Sequence, residues 1–420
     1  MTTIIKSSKY LFTAIAIIIF TISCEQKKPV EKKEENQNNP VSNTYGFDKA
    51  FLQKHYNNTL VLESKDGNAG IVLTPELQGR VMTSTLEGDQ GMSFGWLNYD
   101  LIESGEVLEH INPTGGEERF WIGPEGGQYS IFFKPRTGFE FKDWFVPAVL
   151  DTEAFEVLDQ NDQTVLFGKR MNLINNSGTE FDLLVEREIS LLSDKQIAEY
   201  LKLPQLEIAS VAYETKNTMI NKGEKAWEKE TGLLSIWLLS MLNPSPEVTV
   251  VAPIKTGSRE ERGERVNDKY FGKVYTDRLK STEKHVFYKA DGQSRGKIGL
   301  SPLRATEIIG SYDAQNQILT ILQMKEPSEK DKYVNSAWEL QEDPYSGDVL
   351  NSYNDGPLED GSQMGPFYEL ESSSPALSLY PEESYTHMQR IYHFKGKKEA
   401  LNEIAKQVLK ISLDEIEQVF

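Results

Sequence analysis

Between Tyr45 and about Phe394, apolar side chains come in short runs rich in β-branched and aromatic types, separated by Gly, Asn, Asp and Pro. Runs of this kind are strands and turns. Arg80–Leu86, Gln128–Phe133, Phe181–Leu191, Leu233–Met241, Ile318–Met324 and Tyr385–Phe394 are examples. The stretch Glu186-Arg-Glu-Ile-Ser-Leu alternates with period two, as a sheet with one wet face requires. More than a dozen such runs with few helical periods between them predict a mainly β chain folded as a large antiparallel sandwich over 45–395. No repeat of fixed period is apparent, which disfavours a propeller or solenoid.

The pattern changes at the end. Lys397–Lys410 sets Leu401, Ile404, Ala405, Val408 and Leu409 on one stripe, predicting an amphipathic helix. Ser412 followed by Asp414 and Glu415 reads as the N-cap and acidic first turn of a last short helix. Residues 396–420 are therefore expected to form a helical cover on the sandwich.

The start differs again. Lys6 and Lys9 precede the apolar run Tyr10–Phe20, so residues 1–23 read as an export signal, the run being too short to span a bilayer. The chain's one cysteine, Cys24, stands directly after Thr-Ile-Ser (21–23). This arrangement resembles a bacterial lipobox, although Thr21 stands where a Leu is more typical. Residues 24–44 are polar, without aromatic side chains, and read as a tether. The expected location is the cell envelope, with acyl chains on Cys24 anchoring the protein to a bacterial membrane, the outer membrane, on its periplasmic or surface face. Each buried CH₂ of such a chain contributes roughly 0.8 kcal/mol.

Charge and composition narrow the partners. With 45 Lys and Arg against 64 Asp and Glu the formal charge is −19, the wrong sign for neutralising phosphates, so nucleic acid is not an expected partner. A single cysteine excludes intramolecular disulfides and cysteine-rich zinc sites. No HExxH, P-loop, GxGxxG or GxSxG string occurs.

Three segments carry candidate chemistry. In 112–130, Gly115, Gly116, Gly126 and Gly127 allow tight turns around Arg119, Trp121 and Glu125. A guanidinium fork and a flat indole are the two surfaces a sugar ring needs, for its hydroxyls and for its C–H face. A glycine-rich hairpin with a salt-bridged Arg119 and a core Trp121 explains the same residues equally well. In 338–357, Trp338, Tyr345, Asn351, Tyr353 and Asn354 lie in what reads as a long irregular loop. Asp348, Asn351, Asn354 and Asp355 offer oxygen ligands for Ca²⁺, but their spacing fits no EF-hand and turn-forming Asx roles explain most of them. No other cofactor is implied. In 365–376, Glu369 and Glu371 share one face of an extended strand, with Tyr368 and Leu370 on the other. Two carboxylates so placed raise one another's pKa, which suits acid–base work. Of the histidines, His110 is the candidate, while His55 reads as surface and His285, His387 and His393 as structural strand positions.

On these residues the chain resembles the galactose-mutarotase-like supersandwich proteins. It is more closely similar to a family of lipoproteins typical of Bacteroidetes with no settled activity, through Gly115–Gly127, Asn351–Pro357 and 365–376. The likeness to aldose 1-epimerases implies a general base in the late strand, matched by Glu371 with Glu369 as the alternative. It also implies that His110 with Gly115-Gly116 corresponds to the Leu-His-Gly-Gly segment of those enzymes. Their second histidine, which protonates the ring oxygen, has no counterpart, since Leu233–Pro244 contains none. Arg119, Tyr368 or His110 would have to replace it. The implied function is binding of a carbohydrate, with processing by epimerase-like or lyase-like proton transfer. The alternative is a noncatalytic sugar-binding lipoprotein that uses Trp121, Trp338 and Arg119, with Asn351 and Asn354 bonding hydroxyls.

Overall fold

A computed structural model describes residues 44–204, 207–358 and 360–420. The export signal, Cys24 and all but the last residue of the tether lie outside the described residues. Everything below concerns the unit that ends at Phe420.

The chain is mainly β, built of antiparallel pairs in sheets of three, ten and five strands. Helix is confined to short pieces. One of them, Tyr45–His55, opens the described chain where the apolar pattern had predicted only strands. The Thr44 hydroxyl accepts from the Phe47 N–H at its N-terminus, and Tyr45 and Leu52 bury one side of it. Its polar residues outnumber the buried ones, so no helical stripe stands out in the sequence. Among the described residues no helix is long and apolar enough to cross a membrane.

The ten-stranded sheet runs through the centre. Its order begins Leu279–Ser281, His285–Lys289, Val248–Pro253, Ile308–Asp313, Ile318–Met324 and Ser384–Lys395. It continues through Ala209–Asn221, Glu180–Leu191, Thr164–Ile174 and Glu156–Gln160. Strict alternation of buried and wetter positions along Glu180–Leu191 is the period-two pattern read from the sequence. Against one face of this sheet pack the C-terminal helices Lys398–Val408 and Leu413–Glu417, the second capped by Ser412. Leu401, Ile404, Ala405 and Leu413 meet Tyr312, Leu319, Ile321 and Phe394 there, so the helices cover the back of the sandwich.

The smaller sheet lies over the opposite face. Its strands are β1 (Arg119–Gly123), β2 (Ser235–Leu242), β3 (Gly296–Leu300), β4 (Leu350–Asn354) and β5 (Tyr368–Ser373), in the spatial order β3-β4-β5-β2-β1. Strand β4 corrects the expectation of an irregular loop over 338–357. Its residues are all buried, with polar side chains on both faces, so apolar alternation never appears in the sequence. Phe120, Ile122, Ile236, Leu238, Ile298, Leu350 and Leu370 join the common core with residues of the large sheet. The Ser372 hydroxyl donates to Gln389 across the same gap.

Candidate active site

Because side chains alternate along a strand, the residues between those core positions all project from the other face of the smaller sheet. The register sets them in rows. Arg119 pairs with Leu239, Leu239 with Glu371, and Glu371 with Asn351. Met241 pairs with Glu369, Glu369 with Tyr353, and Tyr353 with Lys297. Trp121 faces Trp237 in a third row. Residues more than 250 positions apart thus meet on one surface, where all but the partly exposed Lys297 are buried.

Glu371 lies at the centre, with none of its surface exposed. Its Oε2 accepts from Lys297 Nζ at 2.8 Å and from Trp237 Nε1 at 2.9 Å. Its Oε1 has no partner. The Lys297 ammonium lies 4.7 Å from the Trp237 ring centroid. Burial disfavours the charged lysine, but Glu371, Glu125 and Glu369 outweigh it and hold its pKa above the usual value.

Glu369, two residues earlier on β5, stands about 6.8 Å along the strand from Glu371. Its carboxyl has no hydrogen-bond partner among the described residues, and the residue keeps 7% of its surface open. Burial, then the neighbouring Glu371, pushes its pKa well above the usual carboxylate range against the pull of Lys297 and Arg119. Glu125, from the turn after β1, approaches the same charges. Burial is the main cause that raises it to about 7, with Glu371 adding and Lys297 opposing, and Trp338 hydrogen-bonds its carboxyl.

Arg119 Nη2 donates to Asp151 Oδ1 at 2.8 Å, and the guanidinium lies 4.5 Å from the Trp121 ring centroid. Asn112 donates to the other Asp151 oxygen through both its backbone N–H and its side-chain amide. That carboxylate therefore fastens the segment before the first glycine pair to β1. Arg119 Nε and Trp121 Nε1 are buried without partners.

The walls come from loops. Gly126 packs so close to Ser336 and Ala337 that a Cβ would strike their carbonyls, and the Glu125 N–H donates to Ser336 Oγ. The 336–341 segment is thereby drawn over β1, and Trp338 stacks on Trp144 at 5.5 Å. On the opposite side Tyr270 and Asn267 donate to Asp348 Oδ2, and Phe271 meets Tyr353.

A family model described as "Family of unknown function (DUF6786)" matches residues 43–420. The chain belongs to this family. No curated protein matches it. Several solved structures are similar to it at low identity. The Slr1438 protein from Synechocystis sp. PCC 6803 is 12% identical, with 80% of this chain and 96% of that one covered and a TM-score of 0.47. A galactose mutarotase-like protein from Lactobacillus casei is 8% identical, with 80% and 100% covered and a TM-score of 0.46. A galactose mutarotase related enzyme from Lactobacillus acidophilus is 7% identical, with 80% and 97% covered and a TM-score of 0.44.

Of the residues singled out in the sequence, Glu369, Glu371, Arg119, Trp121, Glu125, Asn351 and Tyr353 share this surface, and Trp338 borders it. In the 112–130 segment Arg119 is salt-bridged and Trp121 belongs to the core, as the structural reading of that segment expects, and both side chains lie on the cleft face. Asn351 is tied by its amide to Tyr270 and the Ile298 carbonyl. The Tyr353 hydroxyl donates to Asp355.

Three residues fall elsewhere. Tyr368 projects to the opposite face, where its hydroxyl bonds Ser311, so it does not join the carboxylates. Asn354 also lies on that face, occupied by Gly292 and Ser294. His110 Nδ1 bonds the Trp144 carbonyl, and its ring sits between Phe141 and Phe145 at the margin. Among the described residues no group of three or more His, Cys, Asp or Glu is placed to hold a metal ion. Asp348 and Asp355 serve separate partners. Lys297, Trp237 and Asp151 are the residues that the sequence reading missed. The sheet order brings Lys297 and Trp237 to Glu371, and the helix Ala148–Asp151 brings Asp151 to Arg119.

Proposed function

We propose that the protein binds a carbohydrate on the outer face of the smaller sheet and moves protons to and from it. One observation carries this reading: a close carboxyl pair shares a surface with an unpartnered acceptor, Glu371 Oε1, and two unpartnered donors, Arg119 Nε and Trp121 Nε1. Buried polar atoms ordinarily have partners. A sugar hydroxyl both donates and accepts, so one ligand class satisfies all three, while the indoles of Trp121 and Trp237 suit its C–H face.

Opening a cyclic hemiacetal needs a base at the anomeric hydroxyl and an acid at the ring oxygen. In the proposed step Glu371 Oε1 takes the hydroxyl proton, the bond from the anomeric carbon to the ring oxygen breaks, and protonated Glu369 gives its proton to that oxygen. Closure on the other face of the carbonyl returns both protons. Opposite environments for two neighbouring carboxyls support this division. The binding-only reading draws on β2, which presents Trp237, Leu239 and Met241 to the cleft and no histidine.

Aldose anomer exchange followed by NMR separates the two readings. Glu371→Gln and Glu369→Gln should each slow exchange by about 10²-fold or more, and Trp121→Ala should weaken binding. Unchanged exchange in both glutamine variants leaves binding alone, and absence of any sugar binding removes the proposal. We further propose the envelope location read from the first 24 residues. Incorporation of labelled fatty acid that is lost in Cys24→Ala would support it, and equal labelling of the variant would reject it.

A further inference from the structure

The interior of a β-sandwich is ordinarily apolar. Here a row of polar side chains crosses three strands of the large sheet on the face toward the smaller one. Ser311 pairs with Thr320, and Thr320 with His393. They form the floor of a cavity of about 520 Å³ at one end of the gap between the sheets, a size typical of small-molecule sites. Tyr368 lines it from β5. Because Tyr368 and Glu369 are consecutive on one strand, the cavity and the carboxylate cleft lie on opposite faces of the smaller sheet.

The hydrogen bonds of the floor have a direction. A carboxylate only accepts, so His393 Nε2–H donates to Glu117 Oε1 at 2.9 Å, and in the neutral imidazole Nδ1 then accepts from the Thr320 hydroxyl at 2.8 Å. Tyr368 and Ser311 share a bond of 2.8 Å, and Tyr368 also reaches Thr320. The Thr320 proton is thereby taken up by His393, and the bond between Ser311 and Tyr368 takes up one of the two remaining hydroxyl protons. Asn243 repeats the pattern at the rim: its amide N–H groups serve the carbonyls of Ser93 and Gly95, so its Oδ1 is left to accept. Asp48, which accepts from Ser93 and Tyr99, and Asp313, which accepts from Ser245 and Asn316, add carboxyl groups to the rim, and among the described residues no Lys or Arg lines the cavity. Phe94, which stacks on His393 at 4.2 Å, supplies a flat apolar wall.

We propose that this inter-sheet cavity is a second ligand site, for a polyhydroxylated molecule of monosaccharide size that brings hydrogen-bond donors and no negative charge. A phosphorylated or carboxylated sugar meets two carboxyl groups there and, among the described residues, no cation. A neutral hexose and an amino hexose both carry the required donors.

Calorimetric titration of the folded protein tests the proposal, with galactose, glucose and galactosamine as probes and glucose 6-phosphate and galacturonate as anionic comparisons. At least one uncharged or amino sugar should bind to Glu371→Gln with unchanged affinity. Thr320→Val and Phe94→Ala should each weaken that binding by tenfold or more, with Thr320→Ser restoring it. The galactosamine arm tells whether the acidic rim favours an ammonium group over a neutral ring. The proposal is overturned if no such sugar binds, if the anionic sugars bind as well, or if Thr320→Val and Phe94→Ala bind like the parent while Glu371→Gln does not. Thermal melts of the variants show whether a loss reflects unfolding.

Discussion

Glu125 is a partly buried carboxyl whose environment works against its charge. Its folded pKa of about 7 exceeds the ordinary value of 4.5, chiefly because of burial. The folded state therefore holds this proton more tightly than the unfolded chain. The group's contribution to stability is best below the unfolded pKa and falls as pH rises from about 4.5 to about 7. Glu125→Gln removes the cost of the charge, so its melting temperature should exceed the parent's at pH 8, with the gain vanishing near pH 5. An equal difference at both pH values would show that the carboxyl carries no such penalty. Glu369 and Glu371 were readable as a pair because strand alternation is a local rule. Lys297 was not, since the string Gly296-Lys-Ile-Gly-Leu carries no sign of the carboxylate that waits 74 positions away. Its role follows from β3 and β5 flanking β4, which is a property of the pairing order.

Strand β1 depends on the glycines that precede it. Gly116 has φ of +116° and a Cβ there would strike the Arg80 side chain, while at Gly115, with φ of +90°, it would strike the Trp96 carbonyl. Both the conformation and the close approach require glycine. Gly116→Ala should cost on the order of 1–3 kcal/mol, seen as a lowered urea midpoint. Gly138→Ala, where nothing lies within 4 Å and φ is ordinary, should leave the midpoint unchanged. If the two variants unfold together, the turn is not under the constraint described. The sequence showed these glycines as turn formers without showing what they approach. Strand β4 was hidden for a related reason. In Leu350-Asn-Ser-Tyr-Asn the polar residues bond inside the protein, Asn351 to Tyr270 and Asn354 to Ser294, and such partners are unknown until the fold exists.

The three sheets are joined by a buried cation. Arg187, in the Glu180–Leu191 strand of the large sheet, donates to Glu118 Oε1 at 2.8 Å beside β1 of the smaller sheet. Its Nε donates to the Gly79 carbonyl at 3.1 Å, next to the three-stranded sheet, and its Nη1 to Asn217. Both members of the ion pair are fully buried. Gln389 donates to the other Glu118 oxygen. Even with this company, burial keeps the Glu118 pKa above the usual value, with Arg187 the foremost opposing influence. Arg187→Met leaves a carboxyl in the core without its cation, and loss of one partner from such a pair typically costs about 3–5 kcal/mol. The cost should grow with pH, because the folded Glu118 then binds its proton still more tightly than the unfolded chain does. Adding Glu118→Gln removes the charge at issue, so the double variant should be more stable than Arg187→Met alone and should lose the added pH dependence. Urea titrations of the four proteins at pH 5 and pH 8 give the coupling directly. Additive losses that do not change with pH would mean that Arg187 joins the sheets through its bonds to Gly79 and Asn217, with the ion pair contributing nothing of its own.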